Sequence, residues 1–138
     1  MRQSEWYKNR ILWRAEKLCL KSYAWQHFSS TNDSAAKSVE EAAADFGAPL
    51  FIFWASDAVW TLLTDQFLIG KLDSRLSSVH LDKLQDVSTV LDEGLAASEG
   101  KRMAEIICAG DQKKFWAPAG NAHFALRNIL NMFPINTP

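Results

Sequence analysis

The stretch Pro49–Ile69, PLFIFWASDAVWTLLTDQFLI, constrains this chain more than any other. It is 21 residues long with no internal Gly or Pro, holds three Phe and two Trp, and carries only two charges, Asp57 and Asp65. Three arrangements compete for it. About 20 apolar residues suffice to cross a bilayer. A carboxylate near the centre of a span costs roughly 2.5–3.5 kcal/mol, however, and no Lys/Arg cluster flanks the segment, so no membrane span is expected. A buried strand at Leu50–Trp54 suits the aromatic and β-branched residues there. It would leave Ser56–Ile69 as a separate helix with no turn residue between.

A single long helix over residues 49–69 is the preferred reading. At about 100° per residue, Asp57, Thr61, Thr64 and Asp65 share one narrow stripe. Ile52, Ala55, Val59, Leu62, Leu63 and Phe67 cover the opposite side. Pro49 suits the first helical position and Gly70 the position just past the end. A helix this apolar is the centre of a larger core, and other helices must wrap it.

The 138-residue length implies one domain, large enough to bury a core without staples. The 48% apolar and 22% charged composition is that of an ordinary globular protein. Net charge is −1, which argues against a polyanion binder as a whole. The charge is uneven: the first 30 residues and residues 101–138 are basic, and residues 31–100 are acidic. Six tryptophans are many for this length, so several belong in the core and one or two at a binding surface. Cys19 and Cys108 offer neither a disulfide framework nor zinc spacing and read as small buried thiols. The first residues, MRQSEWYKNR, lack an apolar signal core, which points to a cytoplasmic setting.

Five further helices are expected. Residues 4–28 place Tyr7, Ile11, Ala15, Leu18 and Trp25 on one face. After the capping-rich break SSTND, an Ala-rich helix runs over 34–46 and closes at Gly47. KLDSRLSS reads as a loop or one turn. A helix from Ser78 or His80 carries the stripe Leu81, Leu84, Val87, Leu91 and Leu95. A helix is expected over 100–109, where EIIC would also suit a short strand. GDQKKFWAPAGN is a loop, and Asn121 opens a last helix to Phe133. The sum is an all-α, single-domain, irregular or orthogonal bundle of about six helices around residues 49–69.

Chemistry is sparsely signalled. His27, His80 and His123 lie far apart and form no ligand spacing, so no metal and no cofactor is expected; they read as surface or capping residues. Nucleophile-elbow, P-loop, dinucleotide and Cys-x-x-Cys motifs are absent, and an enzyme is not expected. Asp57, Thr61 and Asp65 mark a possible polar cleft for a small molecule, although two helical turns separate the acids.

The sharpest surface feature is on the first helix. Arg10, Arg14, Lys17 and Lys21 repeat at i, i+4, i+7 and i+11, flanked by Trp6 and Trp13. Phe115 and Trp116, beside two lysines in a turn-rich loop, are a second candidate contact. The expected function is non-enzymatic binding of another protein, or of a second copy, as an immunity protein, inhibitor, adaptor or small subunit would do. Nucleic-acid association through the same stripe is the alternative, with Trp stacking on bases.

Overall fold

In the computed structural model, residues 2–84, 87–90, 106–110 and 113–135 are described. Residues 49–80 form a sheet rather than a helix. β1 (Pro49–Ser56), β2 (Val59–Thr64), β3 (Phe67–Leu72) and β4 (Arg75–His80) make a four-stranded antiparallel meander in the order β1-β2-β3-β4. The all-α bundle is therefore wrong, and the fold is α+β. The strand considered at Leu50–Trp54 is present within β1, but the separate helix over Ser56–Ile69 that went with it is not: the chain turns at Asp57–Ala58 into β2 and then β3.

Cross-strand register explains how so apolar a stretch is accommodated. Phe51, Phe53, Thr61, Leu63, Leu68, Gly70, Ser77 and Val79 pair across the sheet and share one face. Ile52, Trp54, Trp60, Leu62 and Ile69 share the other. Each face has its own cover. α1 (Gln3–Lys17) and α4 (Asn121–Leu130) pack on the first face through Tyr7, Ile11, Ala15, Leu126, Ile129 and Leu130. α2 (Trp25–Thr31) and α3 (Asp33–Ala43) pack on the second through Trp25, Phe28, Ala36, Val39 and Ala43. Burial of each large side chain contributes about 1.5–3 kcal/mol. Over β1, β2 and the middle of β3 both faces are dry, so neither needs polar residues there, and the alternation that normally reveals a strand is lost.

A second sheet, β5 (Ser88–Val90), β6 (Ile106–Ala109) and β7 (Lys113–Trp116), is antiparallel in the order β5-β6-β7 and joins the α1 side of the core. Ile106–Ala109 is thus a strand, not the end of a helix. The helix expected from Ser78 or His80 is replaced by β4, a 3-10 turn at Leu81–Lys83, and β5. Leu91 and Leu95 of its stripe, and residues 100–105 of the next expected helix, lie outside the described residues.

β7 rests on the meander at Gly70, where a Cβ would come within 2.8 Å of the Trp60 carbonyl oxygen and 3.2 Å of the Phe115 ring. Gly70 is therefore a close-approach residue inside a strand, not a helix terminus. Thr61 Oγ1 donates to the Trp116 carbonyl at 2.5 Å and fastens the two sheets together.

α1 stops at Lys17, well short of residue 28. The amides of Cys19 and Leu20 donate to the carbonyls of Glu16 and Ala15, and Cys19 adopts φ +59°. That is the Schellman closure, with Cys19 where glycine is usual. Cys19 is exposed and Cys108 half-buried, so neither is the buried thiol expected. α4 falls within the range expected for it, and α3 overlaps its expected range but begins at Asp33 and ends at Ala43; Gly120, at φ +96°, precedes α4 as its N-cap instead of Asn121. No helix among the described residues is long and apolar enough to cross a membrane.

Candidate functional site

α1 turns Tyr7, Ile11 and Ala15 inward because they recur every fourth residue. On one flank of that buried stripe the sequence alternates indole and cation at helical spacing. Arg10 lies between two rings, with its guanidinium carbon 4.6 Å from the Trp13 centroid and 5.7 Å from that of Trp6. Lys17 Nζ lies 5.9 Å from Trp13 on the next turn. The result is a ladder, Trp6–Arg10–Trp13–Lys17, in which cation–π attraction holds long side chains in place. Trp13 is 45% exposed, which is high for so large an apolar residue.

Arg14 lies nearer the core than the ladder. It is half-buried, and among the described residues its Nε has no hydrogen-bond partner, nor has the buried Nε1 of Trp6. Lys21 leaves the line altogether, because the helix has ended before it. It lies instead beside an apolar groove of about 260 Å³ on the opposite flank of α1, lined by Leu12, Ala15, Leu20 and Phe51 among others. Among the described residues no carboxylate lies within ion-pair distance of Arg10, Arg14, Lys17 or Lys21; the one close histidine–carboxylate contact, between His80 and Asp82, is elsewhere.

The other candidate residues are not brought together. Phe115 is core, 1% exposed and packed towards Gly70. Trp116 is half-buried in β7. Asp57 and Asp65 sit in turns at opposite ends of β2, roughly 20 Å apart at the usual strand rise. Thr61 is fully buried between them. The expected cleft along Asp57, Thr61 and Asp65 is therefore not formed. Asp65 instead ties its turn to the residue before β1. Its Oδ1 accepts from the Ala48 amide at 3.0 Å, while its own amide donates to the Ala48 carbonyl. Thr64, beside it, is buried. Its hydroxyl donates to the Phe46 carbonyl at 2.6 Å and accepts from the Phe67 and Gln66 amides at 2.8 and 3.1 Å.

Among the histidines, His27 is exposed, and His80 Nδ1 accepts from the Asp82 amide. His123 is instead buried on α4, with Nε2 3.0 Å from Thr89 Oγ1. Arg127, one turn on, donates from Nη1 to the same hydroxyl at 3.2 Å. Burial lowers the His123 pKa below its ordinary value. A backbone interaction with Ala117 acts in the opposite direction, and the Arg127 charge lowers the pKa further. The i, i+4 spacing of His123 and Arg127 was the sequence signal for this cluster. Among the described residues no three metal-ligating side chains converge. No protein-family model, curated protein or solved structure matches the chain.

Proposed function

We propose that this protein works by binding another protein, and that the Trp6–Arg10–Trp13–Lys17 flank of α1 is the contact surface. One observation carries the reading: Arg10 is held between two indole rings, yet no carboxylate among the described residues meets it. A solvated helix face has no need of such ordering. A docking surface gains from it, because less side-chain entropy is lost when the partner arrives. Trp and Arg are also the residue types that most often dominate binding energy. The complementary partner presents carboxylates around a shallow apolar patch that receives Trp13. The groove beside Leu12, itself 39% exposed, adds apolar area on the other flank.

The test compares wild type with Trp13→Ala and with Arg10→Glu/Lys17→Glu, each immobilised and cross-linked in extract of the native host. All three positions project from an intact helix, so folding should persist and circular dichroism should match. The reading expects a protein held by wild type and lost from both variants. Retention of the same proteins by all three forms would refute it. Salt-sensitive retention of nucleic acid alone would replace it with the nucleic-acid alternative.

A further inference from the structure

The face of the meander that receives β7 is not covered along its whole length. Beyond Gly70 its floor continues as Leu72, Arg75 and Ser77, which lie on that face by register. The start of β7 forms one wall there, and the tight turn at Asp73–Ser74 forms the rim. Both turn residues have positive φ, 51° and 65°, as a two-residue hairpin of this twist requires. The space enclosed is an open cleft of about 610 Å³ lined by Leu72, Asp73, Arg75, Ser77, Lys113 and Lys114.

Three of those six side chains are cationic and one is acidic. No ion pair joins them among the described residues. Lys113 is already anchored, its Nζ donating to the Ser78 carbonyl of β4. The hairpin that presents Lys113 and Lys114 is held against β4 as well, because Gly110, at φ +55°, sits where a Cβ would come within 2.8 Å of Val79. Arg75 and Lys113 thus reach one cleft from two sheets whose relative position is fixed, and Lys114 lines it from the next position, on the strand face opposite Lys113 and Phe115. The cleft falls in the size range of small-molecule sites. Its lining is mostly ionic, with Leu72 as the apolar contribution.

We propose that this cleft binds a small phosphate-bearing ligand. The Arg75 guanidinium supplies the planar fork that matches phosphate oxygens, and the two ammonium groups supply point charge. Ser77 offers a hydroxyl at the floor. Asp73 at the rim disfavours a ligand that extends past the turn, so the site suits a compact anion over a long nucleic-acid strand. The site is separate from the ladder on α1 and does not depend on the reading of that surface.

Inorganic pyrophosphate is a suitable probe, titrated into ¹⁵N-labelled full-length protein at low ionic strength. Saturable shifts are expected at the amides of Leu72, Arg75, Ser77 and Lys114. Arg75→Ala/Lys114→Ala should weaken binding by about tenfold or more, because each charge-assisted bond to phosphate is among the strong ones. Both residues are exposed, so the variant should keep the wild-type spectrum elsewhere. Arg10→Ala/Lys17→Ala should bind pyrophosphate as wild type does. The absence of saturable shifts up to about 10 mM, a concentration at which even millimolar affinity would register, overturns the proposal. So does equal affinity in the Arg75/Lys114 variant, or shifts centred on α1.

Discussion

Gly70→Ala asks whether β7 truly lies on the meander. In a free strand interior the change should help, since glycine costs roughly 0.5–1 kcal/mol there relative to alanine. In this fold the new methyl has no room. It would stand 2.8 Å from the Trp60 carbonyl oxygen, 3.1 Å from Thr61 Oγ1 and 3.2 Å from Phe115 Cδ1. The nearest of these is backbone of the adjacent strand and yields only if the sheet moves. Overpacking of that kind costs typically 1–3 kcal/mol, and displacement of Thr61 puts its bond to Trp116 at risk, about a further 1 kcal/mol. After the strand preference is deducted, a net loss of roughly 1–3.5 kcal/mol is expected. For a chain of this length that lowers Tm by about 3–14 °C. Urea unfolding monitored by tryptophan fluorescence reads the loss directly. Phe115→Leu in the same background should relieve part of it, so the double-mutant cycle should show coupling of at least about 0.5 kcal/mol. A neutral or stabilising Gly70→Ala would refute the packing of β7 across the sheet.

Other perturbations address separate parts of the molecule. Cys19→Gly should stabilise by about 0.5–1 kcal/mol, because a residue with a Cβ is strained in the left-handed conformation that closes α1; an unchanged or lower Tm would contradict the Schellman closure. Thr64→Val should destabilise by roughly 2–4 kcal/mol, since it removes the acceptor for two amides and the donor to Phe46; a loss below about 0.5 kcal/mol in chemical denaturation would argue against that network. The His123 pKa is lowered on folding, so the unfolded chain binds more protons just below the ordinary histidine value of about 6.5. Stability should be full above that pH and fall as pH drops through it, by at most about 1.4 kcal/mol per unit, until the folded state also protonates. His123→Gln should flatten that slope, and an equal slope in both proteins would show that His123 is not its source.

What the sequence made legible follows from which elements are dry on one side only. α3 and α4 each keep a solvated face, and their helical spacing survives in the residues. The spacing of Tyr7, Ile11 and Ala15 placed the buried face of α1 for the same reason. The end of α1 was hidden because Cys19, not glycine, takes the left-handed position. The meander was hidden because both its faces are buried over β1, β2 and the middle of β3, which erases alternation there. Its turns also lack glycine at Asp57–Ala58, Asp65–Gln66 and Asp73–Ser74. The signal that remained was the recurrence of Asp57, Asp65 and Asp73 every eight residues, a meander's turn spacing. Two of those turn aspartates, with Thr61 and Thr64, happened to align at helical spacing as well and mimicked a polar stripe. The ladder on α1 was visible because its members lie within one real helix. The Arg75–Lys114 cleft was not, because two sheets bring its walls together from distant parts of the chain.

Everything assigned to a surface depends on residues 49–80 being four strands. Backbone ¹³C chemical shifts of the labelled protein test that most directly. The structure predicts extended-chain Cα and Cβ shifts over 49–56, 59–64, 67–72 and 75–80, interrupted at 57–58, 65–66 and 73–74, with amide contacts joining Ile52 to Leu62 and Leu62 to Ile69. An unbroken run of helical shifts from Pro49 to Ile69 would contradict it.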